Sequence, residues 1–238
     1  MSGWQHVAAI ITAGGRGVRI GGDVPKQFLE LNGKPILEHT LENFKTTGLL
    51  DEVVLVVPAD SVTQVEQDYK RFDGWLTRVV AGGSERQDSV GNGLDALGPE
   101  ADIVLVHDGV RPFVTYEMLY QSIETAHAEG GAICAIPVSD TLKRADEKGV
   151  VSETVDRQGL WRMQTPQTFS RPVLKEAFDQ ARSDGFYGTD EGMLVERIGR
   201  PVKLVTGSEF NIKITRPEDL VLGQRIAAFW QDYVRQTQ

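Results

Sequence analysis

The chain has 238 residues, 40% of them hydrophobic and 25% charged, with a formal net charge of −9. This is the composition of a globular protein with enough chain for a substantial core, by default one α/β domain, and its acidic balance excludes the broad basic face that a long nucleic acid needs. No apolar run approaches ~18 residues, and the N-terminal MSGWQHVAA lacks a basic segment followed by a long apolar one, so a cytoplasmic protein without a membrane partner is expected. The one cysteine, Cys134, excludes an intrachain disulfide and a cysteine-based zinc site, and the four histidines show no HExxH or Asp-x-His spacing. No metal held by protein side chains is expected.

The apolar run Val7 to Ile11 reads as a buried parallel strand that empties into a glycine-rich loop between Gly14 and Gly22. Glycine lets backbone approach a ligand closely, so the amides of Gly14, Gly15 and Gly17 can converge on an anion. Arg16, Arg19 and Lys26 stand there against one acid, Asp23, a local cationic cluster that fits a small polyanion. Spacing excludes both the dinucleotide fingerprint and the Walker A loop, because Ile20 stands where a glycine is needed and Asp23-Val24 where Lys-Ser/Thr is needed. Glycine content alone also fits a solvated surface loop. Against that, Pro25 fixes the backbone before Lys26, and Phe28 and Leu29 can pin the segment to the core.

Lys34 to Thr46 has the apolar spacing of an amphipathic helix, Val53 to Val57 reads as a strand, Asp60 to Phe72 as a helix capped by Asp60 or Ser61, and Thr77 to Ala81 as a strand. Alternating strands and helices predict a parallel sheet covered on both faces. The segment Gly82 to Val90, GGSERQDSV, opens a helix at a strand's carboxyl end, where such sheets bind ligands. An ordinary loop with Ser84 as N-cap fits the spacing equally. Asp102 to Val106 is the next strand, ending in His107-Asp108-Gly109-Val110-Arg111-Pro112, with Asp108 either a turn former or a ligand group. Helix Tyr116 to Glu129 and strand Gly131 to Val138 follow.

Asp140 to Gly159 is charged, with Asp146 to Gly149 as a hairpin turn, and a hairpin this polar needs another surface to support it. A solvated excursion is the alternative. Leu160 to Phe169 returns the chain through Thr165-Pro166-Gln167, and helices are expected at Pro172 to Asp184 and Thr189 to Ile198, with Thr189 as N-cap and Asp190 and Glu191 as first-turn acids assigned to helix stabilisation, a role near the site being the alternative. Val202 to Val205 is a late strand. Asn211 to Thr215 alternates like a strand, which turns Lys213 off the core face, and a closing helix with Pro217 in its first turn runs to about Val234.

GGRGVRIGGDVPKQFLELNGKPIL, GGSERQDSV, HDGVRP, TPQ and NIKITRPEDL together resemble the signatures of the sugar-phosphate nucleotidyltransferases, in their cytidylyltransferase branch, over nearly the whole chain. With TVDRQGLW and TPQTF, the pattern is more similar to the enzymes of 2-C-methyl-D-erythritol 4-phosphate than to those of ribitol 5-phosphate. It departs from the usual pattern at Gly14, Ile20 and Gly109. The resemblance implies a Rossmann-like, mostly parallel sheet with helices on both faces and a β-arm at 139–160 on a single domain, 1–238. It implies transfer of a cytidylyl group from CTP to a sugar-alcohol phosphate, with Arg19 and Lys26 catalytic and Mg²⁺ carried by the CTP phosphates. Thr12, Ala13, Gly14, Gly15, Arg16, Gly17, Gly83 and Ser89 would bind CTP, and Asp108, Thr141 and Thr165 the second substrate. Arg157 and Lys213 would position its phosphate, with Thr141 and Arg157 reaching a neighbour across a homodimer. His107 is read as packing or supporting, and Arg111 as a structural partner of Asp108. A catalytically silent nucleotide-binding scaffold is the reading from another class.

Overall fold

The computed structural model describes residues 6–15 and 25–237. Arg16, Gly17 and Arg19 lie outside them. Strand β1 is Val7–Thr12, and the two-residue strands β2 (Glu30–Leu31) and β3 (Lys34–Pro35) pair before helix α1 (Ile36–Thr47). There follow β4 (Glu52–Val57), α2 (Val62–Asp68), β5 (Leu76–Ala81), α3 (Arg86–Ala96), β6 (Ile103–Asp108), α4 (Tyr116–Glu129) and β7 (Gly131–Pro137). The last third holds β8 (Leu142–Ala145), β9 (Val151–Val155), β10 (Trp161–Ser170), α5 (Arg171–Asp184), α6 (Glu191–Arg197), β11 (Lys203–Thr206) and α7 (Pro217–Thr237).

Among the described residues, seven strands form the central sheet in the order β11-β7-β10-β6-β1-β4-β5. β10 runs antiparallel to both neighbours, and the other pairings are parallel. β1, β4, β6 and β7 are buried almost along their whole length because both faces are covered. Val7, Ala9 and Ile11 of β1 pack with Leu41 and Phe44 of α1, Val65 of α2 and Leu119 of α4, while Ala8 and Ile10 pack with Val90 of α3, Phe178 of α5 and Leu194 of α6. A smaller cluster around Leu31, Phe113, Ile214 and Trp230 seats α7 against the β2–β3 ribbon. Among the described residues no helix is long and apolar enough to cross a membrane.

Three expected elements differ. The helix expected at 60–72 is broken into a 3₁₀ turn Ala59–Ser61, α2, and a second 3₁₀ turn Lys70–Phe72, with Ser61 at the N-cap but making no side-chain cap bond. Tightening after Tyr69 lets both Tyr69 and Phe72 stay buried. Lys34 and Pro35 belong to β3, so α1 starts at Ile36. Residues 211–215 form no strand despite their alternation, for the amide of Ile214 bonds the carbonyl of Val110 and the carbonyl of Asn211 accepts from Arg111. The expected hairpin forms from β8 and β9, exposed or half-buried along its length, and Asp146 Oδ1 accepts from the amides of Lys148 and Val150 in its turn.

Candidate active site

Two adjoining cavities open at the carboxyl ends of β1 and β6, where ligands of such sheets bind. The first, about 270 Å³, is lined by Thr12, Ala13, Gly14, Gly15, Lys26, Gly83, Ser89, Asp108 and Lys213 among others. The second, about 290 Å³, shares Arg86, Asp108 and Lys213 with it and adds Arg111, Thr165, Gln167 and Asp190. A larger groove of about 840 Å³ lies away from both, between α1 and α7. There Lys34 pairs with Glu42 and Asn43 with both Pro112 and Trp230, so it offers surface without convergent unsatisfied groups.

Pro25 adopts an extended conformation that turns the chain into a 3₁₀ turn, Lys26–Phe28, and brings Lys26 back over Gly15. A Cβ on Gly15 would lie 3.3 Å from Lys26 Cε and 3.5 Å from its Nζ, so glycine at 15 leaves room for the ammonium group. Next to it Gln27 is fully buried, and neither carboxamide atom has a hydrogen-bond partner among the described residues. At the β5–α3 loop a Cβ on Gly83 would collide with Asp88 at 2.3 Å. The Gly83 amide donates to Ser89 Oγ at 3.1 Å, and Ser89 Oγ donates to the Glu85 carbonyl at 3.1 Å, so these two groups, both expected to bind CTP, are bonded to each other. The N-cap of α3 is Glu85 in a capping box with Asp88, and Ser84, the cap in the ordinary-loop alternative, instead donates to Asp88 Oδ2.

Asp108 is the centre of charge. Its Oδ2 takes Lys213 Nζ at 2.9 Å and Arg111 Nε at 3.2 Å, and its Oδ1 lies 3.4 Å from Arg86 Nε. Burial alone would raise this carboxyl, but the charges of Lys213, Arg86 and Arg111 outweigh it and hold it far below the usual carboxylate range. Burial likewise works against the Arg86 guanidinium, and Glu191 with Asp108 overcomes it and raises its pKa. Arg111 behaves as the expected structural partner: its Nη1 donates to the Asn211 carbonyl at 2.8 Å, fixing the extended segment that delivers Lys213. Asn211, fully buried, adds a bond from Nδ2 to the Thr165 carbonyl at 2.8 Å.

His107 is buried beneath this cluster, and burial lowers its pKa to about 4, so the ring is neutral at pH 7. Its Nε2 lies 3.0 Å from the Arg111 carbonyl, which can only accept; that nitrogen therefore carries the proton, and Nδ1 accepts from Thr165 Oγ1 at 3.1 Å. Thr165 Oγ1 also accepts from the Asp108 amide at 3.1 Å. Its single proton is thus committed to His107, and only acceptor capacity faces the cavity.

Lys26, Lys213, Asp108 and Thr165 therefore come together from residues far apart in the chain. Thr141 and Arg157 do not: both are exposed on the β8–β9 excursion, outside the lining of either cavity, and Arg157 Nη1 donates to the Ser139 carbonyl. Two acids expected chiefly to stabilise their helix belong to the site. Asp190, rather than Thr189, caps α6 by accepting from the Met193 amide, while Glu191 is buried and bonds both terminal nitrogens of Arg86, at 2.6 and 3.0 Å. Among the described residues no group of three or more His, Cys, Asp or Glu side chains is placed to hold a metal ion, and Asp108, the carboxylate that lines both cavities, is already shared among three cations.

Comparison with known proteins bears on the family and the fold. A family model described as 2-C-methyl-D-erythritol 4-phosphate cytidylyltransferase matches residues 7–228. A protein of that name from Syntrophus aciditrophicus is 47% identical over 221 residues, covering 92% of this chain and 94% of the relative, and one from Alkaliphilus metalliredigens is 46% identical over 224 residues, covering 93% of each. Among solved structures, the 4-diphosphocytidyl-2C-methyl-D-erythritol synthase of Anaerococcus prevotii superposes with a TM-score of 0.82 at 33% identity, covering 94% of this chain and 99% of that one. The cytidylyltransferase of Thermus thermophilus gives 0.79 at 35% identity, covering 94% and 100%.

Proposed function

Since the chain belongs to the 2-C-methyl-D-erythritol 4-phosphate cytidylyltransferase family, we infer that it transfers the cytidylyl group of CTP to 2-C-methyl-D-erythritol 4-phosphate in isoprenoid biosynthesis. The products are 4-diphosphocytidyl-2-C-methyl-D-erythritol and pyrophosphate. The observation that carries the reading is the convergence of Lys26, Lys213 and Asp108 on one cavity at the ends of β1 and β6.

An oxygen of the incoming phosphate forms a bond to the α-phosphorus of CTP, and the bond from that phosphorus to the bridging oxygen of pyrophosphate breaks in line. The attacking phosphate has a second pKa near ~6 and is largely a dianion at neutral pH, so no protein base is needed. The difficulty is to bring two polyanions together and to stabilise the charge that grows between them. Lys26 supports the α-phosphate and transition state, together with Arg19. Lys213, tethered to Asp108 at 2.9 Å, receives the second substrate's phosphate, and Thr165 and Asp108 offer acceptors to its hydroxyls. Thr12, Ala13, Gly14, Gly15, Arg16 and Gly17 cradle the triphosphate, and Gly83 with Ser89 faces the base once their mutual bond exchanges for the ligand. Mg²⁺ would be held largely by the CTP phosphates and water, since this ion seldom uses an all-protein cage, and would supply charge neutralisation to those phosphates.

We take residues 139–160 as an arm that lends Thr141 and Arg157 to a second copy, making the functional unit a homodimer, and we assign the protein to the cytoplasm, the compartment of its nucleoside triphosphate. The primary test is pyrophosphate release from CTP and Mg²⁺ with methylerythritol phosphate or ribitol 5-phosphate. Release with the first alone supports the assignment, release with ribitol phosphate moves the substrate, and CTP binding without release with either leaves a scaffold. For the dimer, mixing separately inactive Lys26→Ala and Arg157→Ala proteins restores activity only if the two residues act across subunits.

A further inference from the structure

The wall between the two cavities is a chain of charges that ends on an acid expected chiefly to stabilise its helix. Glu191 is 1% exposed, and its carboxylate bonds both terminal nitrogens of Arg86, at 2.6 and 3.0 Å. Arg86 is thereby left with only its Nε toward Asp108, at 3.4 Å from Oδ1, while Oδ2 receives Lys213 at 2.9 Å and Arg111 at 3.2 Å. An arginine fork satisfied by one carboxylate cannot give a two-point bond to another. Nor does α6 depend on Glu191 for its start, because Asp190 already caps it and Gln167 ties Asp190 Oδ2 and the Gly192 amide to β10.

Resting on the function proposed above, we propose that Glu191 is a positioning residue: by occupying the fork of Arg86 it reserves Asp108 Oδ2 for Lys213, and so keeps the Lys213 ammonium where the second substrate's phosphate arrives. With Glu191 neutral, the guanidinium turns its fork to Asp108, now its closest carboxylate, and competes with Lys213 for Oδ2. The two carboxylates and three cations of the intact network carry a net charge of +1. Neutralising Glu191 makes that +2, so a general loss of positive field is not what the variant reports.

The test is steady-state kinetics of Glu191→Gln with both substrates varied. The expected result is a rise of about tenfold or more in the KM for the alcohol phosphate, with the KM for CTP moved less than about twofold. The double variant E191Q/R86M removes the competing fork and brings the alcohol-phosphate KM back to within about threefold of wild type; a purely structural role would instead move the CTP KM and the melting curve together with it. Unchanged KM values in E191Q, or additive losses in the double variant, overturn the proposal. If E191Q fails to fold, E191M/R86M replaces the pair with apolar groups of similar volume, a change that buried ion pairs often tolerate. Its alcohol-phosphate KM is then expected near wild type, and a rise of tenfold overturns the idea. A wild-type enzyme that releases no pyrophosphate defeats the parent function instead, so the two failures are told apart.

Discussion

On the side of the first cavity built by β6, α3, α6 and residues 211–214, Asp108, Glu191, Arg86, Arg111 and Lys213 all have charged partners within 3.4 Å. Across the same cavity, where the 3₁₀ turn follows Pro25, Gln27 is fully buried with both carboxamide atoms unpaired among the described residues. The first side is assembled before any ligand arrives, so its dipoles and charges need no reorganisation when charge develops. The second carries a desolvated amide at a cost of about 1–3 kcal/mol, the kind of local deficit that functional sites retain.

The largest expected effect comes from breaking the assembled side. Asp108→Ala leaves three cations facing one another and should lower unfolding stability by about 3–5 kcal/mol, read as a lower denaturation midpoint at unchanged slope; a midpoint within error of wild type would mean that the cations disperse and no prebuilt unit exists. On the opposite side, Lys26→Ala should reduce kcat by about 10²–10³ while leaving the melting curve in place, equivalent to about 3–4 kcal/mol of barrier. A coincident loss of fold would remove Lys26 as evidence about chemistry.

Acid separates the two buried titratable groups beneath the assembled side. His107 binds its proton more weakly folded, at about 4, than unfolded, at 6.5, so stability is full above 6.5 and falls as pH drops through that window, by about 3 kcal/mol in all. Asp108 has the opposite assignment of charge: its contribution is present above the ordinary carboxylate value of 3.8 and is lost only as pH falls below it. Denaturant titrations at pH 7, 5 and 3 should show the histidine loss first, and His107→Gln should flatten that first segment. The smallest effect sharpens the contrast from the other side. Gln27→Met should raise the stability of the free protein by about 1–2 kcal/mol, and a loss of stability would show that the amide is paired after all.

Much of this was readable before the fold was seen. The continuous apolar runs of β1, β4, β6 and β7 announced strands buried on both faces, and the residues closing β1 and β6 lie at the cavities. What stayed hidden depended on long-range partners. Glu191 in the first turn of a helix looks like a dipole stabiliser, and only the approach of Arg86, 105 positions earlier, reveals another use. Asn211 to Thr215 alternates because one side faces the α7 cluster and the other faces the cavity, a periodicity that a strand and an extended tether share. The short β2–β3 ribbon has too few residues to leave a period at all.

The place of β10 also dictates an order of events during synthesis. β7 has two neighbours in the sheet, β10 and β11, and both are encoded after it. When Pro137 has been made, its strand has no mate until Trp161–Ser170 is available to slide between it and β6. At about 5–20 residues per second this interval lasts roughly two to seven seconds. Through that time the nascent protein carries GAICAIP as an unpaired apolar segment, a template for association with other chains, and the hairpin that follows it is the length of message over which a growing polypeptide must be kept from its neighbours.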